Sequence, residues 1–222
     1  MCFNASVSIS VFALGMLCLG IMMSRKLYFF SIFYFFIIIM QLLEYFAHIS
    51  LKNNNSQLNK KTAILAFLLI VFQPVIFSIY AGLIENNNKE FLIKIFPCIT
   101  IFIVISIYLY RSAQSSNNLR ISYIDKSCNS NICRLEWSFF KSSYLLSCIF
   151  IFMYFLLFNL TGKYLRLSKY FYDSFNIVIF LLALSFGYMT FIDKLSINKH
   201  LIESFGSIWC IMATLLGPYL VL

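Results

Sequence analysis

The chain of 222 residues is 61% hydrophobic and only 11% charged, with a formal net charge of +9 and a mean hydropathy of +0.86. A soluble domain averages about 45–50% apolar and about 25% charged residues, so this composition excludes an ordinary soluble domain. The apolar runs continue for about 20 residues instead of alternating over about 10, which excludes a membrane β-barrel and predicts an all-α fold.

Seven stretches are long enough to cross the membrane as helices, since about 30 Å of hydrocarbon needs roughly 20 apolar residues. They cover 5–23, 27–49, 62–84, 91–110, 142–160, 171–192 and 201–222. The sequence therefore predicts a polytopic transmembrane helical bundle of about seven spans, forming a single domain over 1–222. In the first stretch the nearby cations, Arg25 and Lys26, follow the apolar run, so we interpret it as a span and not as a cleavable signal.

The second span ends in "QLLEYFAH", where Gln41, Glu44 and His48 are spaced i, i+3 and i+7. This spacing puts the three side chains on one face of a helix. A charge at bilayer depth costs from about 3 kcal/mol upward and usually has a function. We therefore predict a polar intramembrane site at Glu44, with His48 either belonging to it or lying at the membrane interface.

The third span carries Gln73 near its middle, followed directly by Pro74. Proline removes one backbone hydrogen bond and kinks a helix, so neighbouring helices, side chains or water must satisfy the freed group. The Gln73 amide can both donate and accept hydrogen bonds. It is predicted either to hold helices together or to belong to the same polar site as Glu44.

The segment 111–141 is the longest connection and the only one large enough to fold over a face of the bundle. It contains Cys128 and Cys133, for which two free thiols, a disulfide and a metal site are the alternatives. A disulfide requires the oxidising side of the membrane, and zinc usually takes four Cys or His ligands, which this segment lacks. We expect neither a metal nor a cofactor. The asparagine runs of the other loops are interpreted as compositional filler.

Lysine and arginine residues in the loops predict the orientation, because cytoplasmic loops carry the excess. With seven spans, ten of the 17 fall on the side of the N-terminus and seven on the other side. This favours a cytoplasmic N-terminus, which conflicts with a disulfide in 111–141. Loop cations lie next to anionic headgroups, so membrane lipids are the expected partners, and no motif indicates nucleic-acid binding.

The last span begins "LIESFGSIWC", in which Gly206 and Ser207 are small enough to permit close helix approach. Ser207 is also included in the predicted polar intramembrane site. It contains no lysine for a Schiff base, which excludes a retinal protein of the microbial type. A zinc-dependent membrane hydrolase needs several histidines and acids on inward faces, whereas His48 and His200 are the only histidines of the chain.

Four short stretches, "MCFNASVSISVF", "MQLLEYF", "QPVIFS" and "GSIWC", occur in this order along the chain. Together they resemble an uncharacterised family of seven-span integral membrane proteins found largely in giant DNA viruses and some bacteria. Phe3 departs from the tryptophan that usually follows the opening Met-Cys in that family. The resemblance implies a seven-span fold and no activity. It nominates Asn4, Gln41, Glu44, Gln73, Pro74, Ser207, Trp209 and Cys210.

The function favoured by these residues is that of a small transporter or channel-like protein. In it, Glu44 titrates or binds a small ion or small molecule, and Gln41 and Gln73 complete the polar path. The first alternative is a receptor-like or scaffolding bundle in which the same residues form a structural hydrogen-bond network. The second is a lipid-processing enzyme with Glu44 and His48 as an acid–base pair, for which no nucleophile or metal is identifiable. No catalytic residue is therefore assigned.

Overall fold

The computed structural model describes residues 4–84, 89–123 and 135–164. Within these ranges the chain forms long helices and one small antiparallel hairpin. The elements are α1 (Ala5–Ser24), α2 (Tyr28–Lys52), α3 (Ser56–Ile84), α4 (Lys89–Ser115), β1 (Ile121–Tyr123), β2 (Leu135–Trp137), a 3-10 helix (Ser138–Lys141) and α5 (Tyr144–Tyr164). The predicted spans over 171–192 and 201–222 lie outside the described residues. So do five of the residues singled out above, Cys128, Cys133, Ser207, Trp209 and Cys210.

The five helices of the described part are long and apolar enough to cross a membrane. Large apolar side chains cover the outside of the bundle: Leu17, Ile93 and Leu145 are 68%, 71% and 72% exposed. Polar side chains such as Gln41 and Glu44 are buried inside instead. An apolar exterior around polar groups is what hydrocarbon surroundings favour. The prediction of a multi-pass helical membrane protein is thus confirmed for five spans, and the count of seven stays a prediction.

The turn between α2 and α3 is built from asparagines. Asn54 has a φ of 50°, a left-handed conformation that asparagine tolerates better than most residues. The Asn55 side-chain oxygen accepts the backbone N–H of Leu58 at 2.9 Å and so caps α3. Because of this cap, α3 begins at Ser56, before the apolar run and before the predicted start at 62. Asn54 and Asn55 thus have structural roles in this turn, beyond the compositional bias by which the asparagine runs were interpreted.

The helices pack through one close approach and an aromatic core. At Gly15, α1 lies so near α2 that an added Cβ would be 2.5 Å from Ile38 Cγ2. Between α2, α3 and α5, the rings of Phe33, Phe77 and Phe158 contact one another with centroids 4.7 to 5.3 Å apart. These contacts hold α2, α3 and α5 together and fix which faces of the three helices are buried.

The hairpin folds over the end of the bundle where α2 ends and α3 begins, and it contacts both helices. Ile121 of β1 lies opposite Trp137 of β2 in the antiparallel register. Trp137 and Phe139 of the following 3-10 helix are fully buried. The Phe139 ring meets Phe67 of α3 edge to face, with centroids 5.2 Å apart. The described part of segment 111–141 is thus packed onto the bundle by apolar side chains.

Candidate functional site

Gln41, Glu44 and His48 form a buried polar face on α2, called here the α2 polar face. Their exposed fractions are 1%, 0% and 4%. Gln41 Nε2 and His48 Nε2 are buried and have no hydrogen-bond partner among the described residues. Leaving a buried donor or acceptor without a partner costs about 1–3 kcal/mol. The α2 polar face is therefore a place where the chain keeps polar groups inside the bundle at a cost in stability.

The α2 polar face extends along the helix from the interior toward the hairpin. Gln41 and His48 are seven residues apart, which corresponds to about 10 Å along the axis. At the outer end, His48 Nδ1 and the Tyr123 hydroxyl of β1 share a hydrogen bond of 3.3 Å. Burial raises the pKa of the Tyr123 phenol, because the charged form loses solvation. The hydrogen bond of His48 thus goes to a neutral tyrosine on the hairpin, and not to Glu44.

Gln73 lies at a different level of the bundle. Its Nε2 donates to the Phe36 carbonyl of α2 at 3.1 Å, and its Oε1 accepts the Tyr154 hydroxyl of α5 at 2.6 Å. Phe36 precedes Glu44 by eight residues, or about 12 Å along the axis. Within the described part of the chain, no hydrogen bond joins Gln73 to the α2 polar face. A single site containing both Glu44 and Gln73 stays a prediction.

Pro74 follows Gln73 inside α3, and the helix continues past it to Ile84. Proline has no backbone N–H, so the carbonyl of Ile70 loses its intrahelical donor. The polar side chain next to this break is Gln73, whose amide nitrogen and amide oxygen both form hydrogen bonds to other helices. Beside Pro74, the Gln73 side chain therefore adds hydrogen bonds from α3 to α2 and α5.

Asn59 is a buried polar residue that the sequence did not single out. Its Oδ1 accepts the Ile121 N–H at 2.9 Å, and its Nδ2 donates to the Ile121 carbonyl at 2.9 Å and to Ser50 Oγ at 3.2 Å. The side-chain amide thus pairs with β1 as the peptide group of a neighbouring strand would. Asn59 and Ile121 are 62 positions apart in the sequence. Asn59 also follows closely on a run of asparagines, so no local pattern reveals the contact.

The carboxylate of Glu136 on β2 is also fixed by contacts that the sequence did not indicate. Glu136 is 8% exposed, and its Oε1 is 2.7 Å from Lys141 Nζ. The Ser138 hydroxyl donates to the same oxygen at 3.4 Å. This pair holds β2 against the 3-10 helix, so we interpret Glu136 as a structural residue of the hairpin.

Other nominated features have simple structural explanations. The Asn4 side-chain oxygen accepts the Val7 N–H at 2.8 Å and caps α1. Among the residues that the structure describes, no group of three or more His, Cys, Asp or Glu side chains could hold a metal ion. The chemistry of the described site is thus that of amide, carboxyl, imidazole and hydroxyl groups.

Comparison of the chain with protein-family models, with curated proteins and with solved structures finds no match. The resemblance to the seven-span membrane family of giant DNA viruses and some bacteria therefore stays a prediction. The broader conclusion rests on composition and on the helices themselves: this is a multi-pass helical membrane protein with a buried polar face on its second helix.

Proposed function

We propose that the protein is a small transporter or channel-like membrane protein in which Glu44 binds a proton or a small cation. The observation that carries this proposal is the α2 polar face, where three polar side chains less than 5% exposed share one side of a transmembrane helix. A charged carboxylate at this depth has a high free-energy cost, and such residues usually mark an ion or proton pathway. Protonation or cation binding at Glu44 would remove that cost.

The two other members of the face support a hydrated pathway. Gln41 Nε2 and His48 Nε2 are buried nitrogens without a hydrogen-bond partner in the described residues. Residues that serve only to join helices pair with each other, whereas groups lining a path need hydrogen-bond partners supplied by water or a ligand. His48 lies toward the hairpin end and Gln41 deeper, which assigns them to the entrance and the interior of the path.

Gln73 has a different role in this proposal. Its amide nitrogen donates to the Phe36 carbonyl and its amide oxygen accepts the Tyr154 hydroxyl, so the side chain is held between α2 and α5. We assign it to joining helices. The same geometry favours a second candidate function, a receptor-like or scaffolding bundle, in which Glu44 too is a structural group.

The experiment compares ion-driven pH changes in proteoliposomes for the native chain and for Glu44→Gln. We expect flux in the native chain and none above empty liposomes in Glu44→Gln, because the amide cannot bind or release a proton. Glu90→Gln is the matched control, since Glu90 is an exposed acid of α4 paired with Lys94, and it should keep the flux.

Two results would contradict the transport proposal. One is equal flux in the native chain and in folded, monodisperse Glu44→Gln. The other is absence of flux in both, together with a lower unfolding temperature for Glu44→Gln. The second result would identify Glu44 as a structural hydrogen-bonding group and favour the scaffolding bundle.

A further inference from the structure

A second site lies on the outer surface of the bundle, away from the α2 polar face. It is a groove of about 300 Å³ between α3 and α4, called here the α3–α4 groove. Its walls are apolar and include Leu68 and Val71 of α3 and Ile103 and Ile107 of α4. Three of these side chains, Leu68, Ile103 and Ile107, are 40%, 38% and 49% exposed. The groove therefore presents apolar surface to its surroundings.

One end of the α3–α4 groove is polar. Arg111 and Gln114, in the last turns of α4, line it there. Ile103 and Arg111 are eight residues apart, so the apolar part of the groove extends about 12 Å along the helix before it reaches the guanidinium. An apolar groove that ends at a cationic side chain is complementary to the acyl chain and phosphate of a membrane lipid.

The charge of Arg111 is not neutralised by the described residues. The ion pairs Glu90–Lys94 and Glu136–Lys141 of the described ranges do not include Arg111. Arg111 directly follows the apolar run of α4, at the depth where long cationic side chains reach the headgroup layer. A guanidinium can bind two phosphate oxygens in a bidentate geometry, whereas an ammonium cannot.

We infer that the α3–α4 groove is a binding site for an anionic phospholipid. One acyl chain lies between Leu68, Val71, Ile103 and Ile107, and the phosphate is held by Arg111 with the Gln114 amide beside it. The charge complementarity of Arg111 selects an anionic over a zwitterionic headgroup. This site goes beyond the proposed transport function and does not depend on Glu44.

The test measures lipid binding to the purified full chain in detergent micelles by native mass spectrometry and by thermal unfolding. Phosphatidylglycerol and phosphatidylcholine with identical acyl chains are the probes. We expect phosphatidylglycerol to remain bound and to raise the unfolding temperature more than phosphatidylcholine does. Arg111→Gln should weaken phosphatidylglycerol binding about fivefold, the effect of one cation next to an anionic lipid. Arg111→Lys should weaken phosphatidylglycerol binding by a smaller factor, because it keeps the charge.

Arg120→Gln is the matched control, because Arg120 is an exposed arginine beyond the end of α4 and outside the α3–α4 groove. It should keep the preference for phosphatidylglycerol. Ile103→Trp fills the groove without changing charge and should reduce the binding of both lipids. Equal binding of the two lipids to the native chain, an equal loss in Arg120→Gln, or unchanged binding in Ile103→Trp would each overturn the inference. If Arg111→Gln does not fold, Arg111→Lys and Ile103→Trp decide.

Discussion

Gly15 is the residue at which α1 and α2 come closest. An added Cβ would lie 2.5 Å from Ile38 Cγ2 and 3.2 Å from Ile38 Cβ, both in the side chain of a buried β-branched residue. Overpacking of this kind costs about 1–3 kcal/mol. We therefore expect Gly15→Ala to lower the midpoint of thermal unfolding in detergent.

Gly20, one and a half turns further along α1, is the control for this prediction. A Cβ there would meet nothing within 4 Å. Gly20→Ala should leave the midpoint unchanged or raise it, because alanine is the better helix former. A similar decrease in both variants would mean that the loss at position 15 does not come from contact with Ile38.

At the same scale, the sequence predicted the shared face of Gln41, Glu44 and His48, and the structure buries all three. The shared face could be predicted because the direction of side chains along a helix follows from their spacing alone. The hydrogen-bond partners of these residues could not be predicted. Tyr123 reaches His48 from 75 positions away, and nothing in the local sequence of either residue indicates that contact.

Among the elements, β1 of the hairpin is joined to α3 by hydrogen bonds of the Asn59 side chain. Asn59→Ala would leave both backbone groups of Ile121 without their amide partner, at about 1–3 kcal/mol for each buried group. We expect β1 to detach more often from α3. Hydrogen exchange measured by mass spectrometry should become faster at Ile121–Tyr123, while the middle of α3 keeps its protection.

Gln57→Ala is the matched control for the hairpin prediction. Gln57 is exposed on the same turn region of α3, and no hydrogen bond of its side chain joins the hairpin in the described residues. Exchange in β1 should stay at the native rate. Unchanged exchange in Asn59→Ala would show that the apolar packing of Trp137 and Phe139 holds the hairpin without the amide.

The extent of the helices was largely predictable, since the length of an apolar run is a local property. The predicted span 62–84 lies within α3, and the helix extends further, to Ser56, because its polar first turn is capped by Asn55. The hairpin was not predicted as strands at all. Its three-residue strands are too short to give a periodic pattern, and they form where apolar side chains meet the bundle end.

For the molecule as a whole, the Gln73 amide connects three helices, through Phe36 of α2 and Tyr154 of α5. We expect a double-mutant cycle with Gln73→Leu and Tyr154→Phe to give a coupling of about 0.6 kcal/mol, the average for hydrogen bonds between membrane helices, and no more than about 1.7 kcal/mol. Each single variant should lower the unfolding temperature, and the double variant should lose less than the two losses together.

Strictly additive losses would contradict a direct Gln73–Tyr154 bond of this strength. The same variants also separate the two roles assigned to buried polar groups. Gln73→Leu that remains folded should keep the flux that Glu44→Gln loses, because Gln73 joins helices while Glu44 binds the ion. Loss of flux in folded Gln73→Leu would return Gln73 to the polar path.

The amino-acid sequence alone specified the membrane class, the five described helices and the inward face of α2, because hydrophobic length and helical spacing act within one segment. Tertiary structure decided which groups meet: Gln73 with Tyr154, His48 with Tyr123, and Asn59 with Ile121. It also formed the α3–α4 groove, which is lined by residues of both helices. Such contacts depend on how helices distant in sequence pack, and this is set by side-chain shape and burial across the whole bundle.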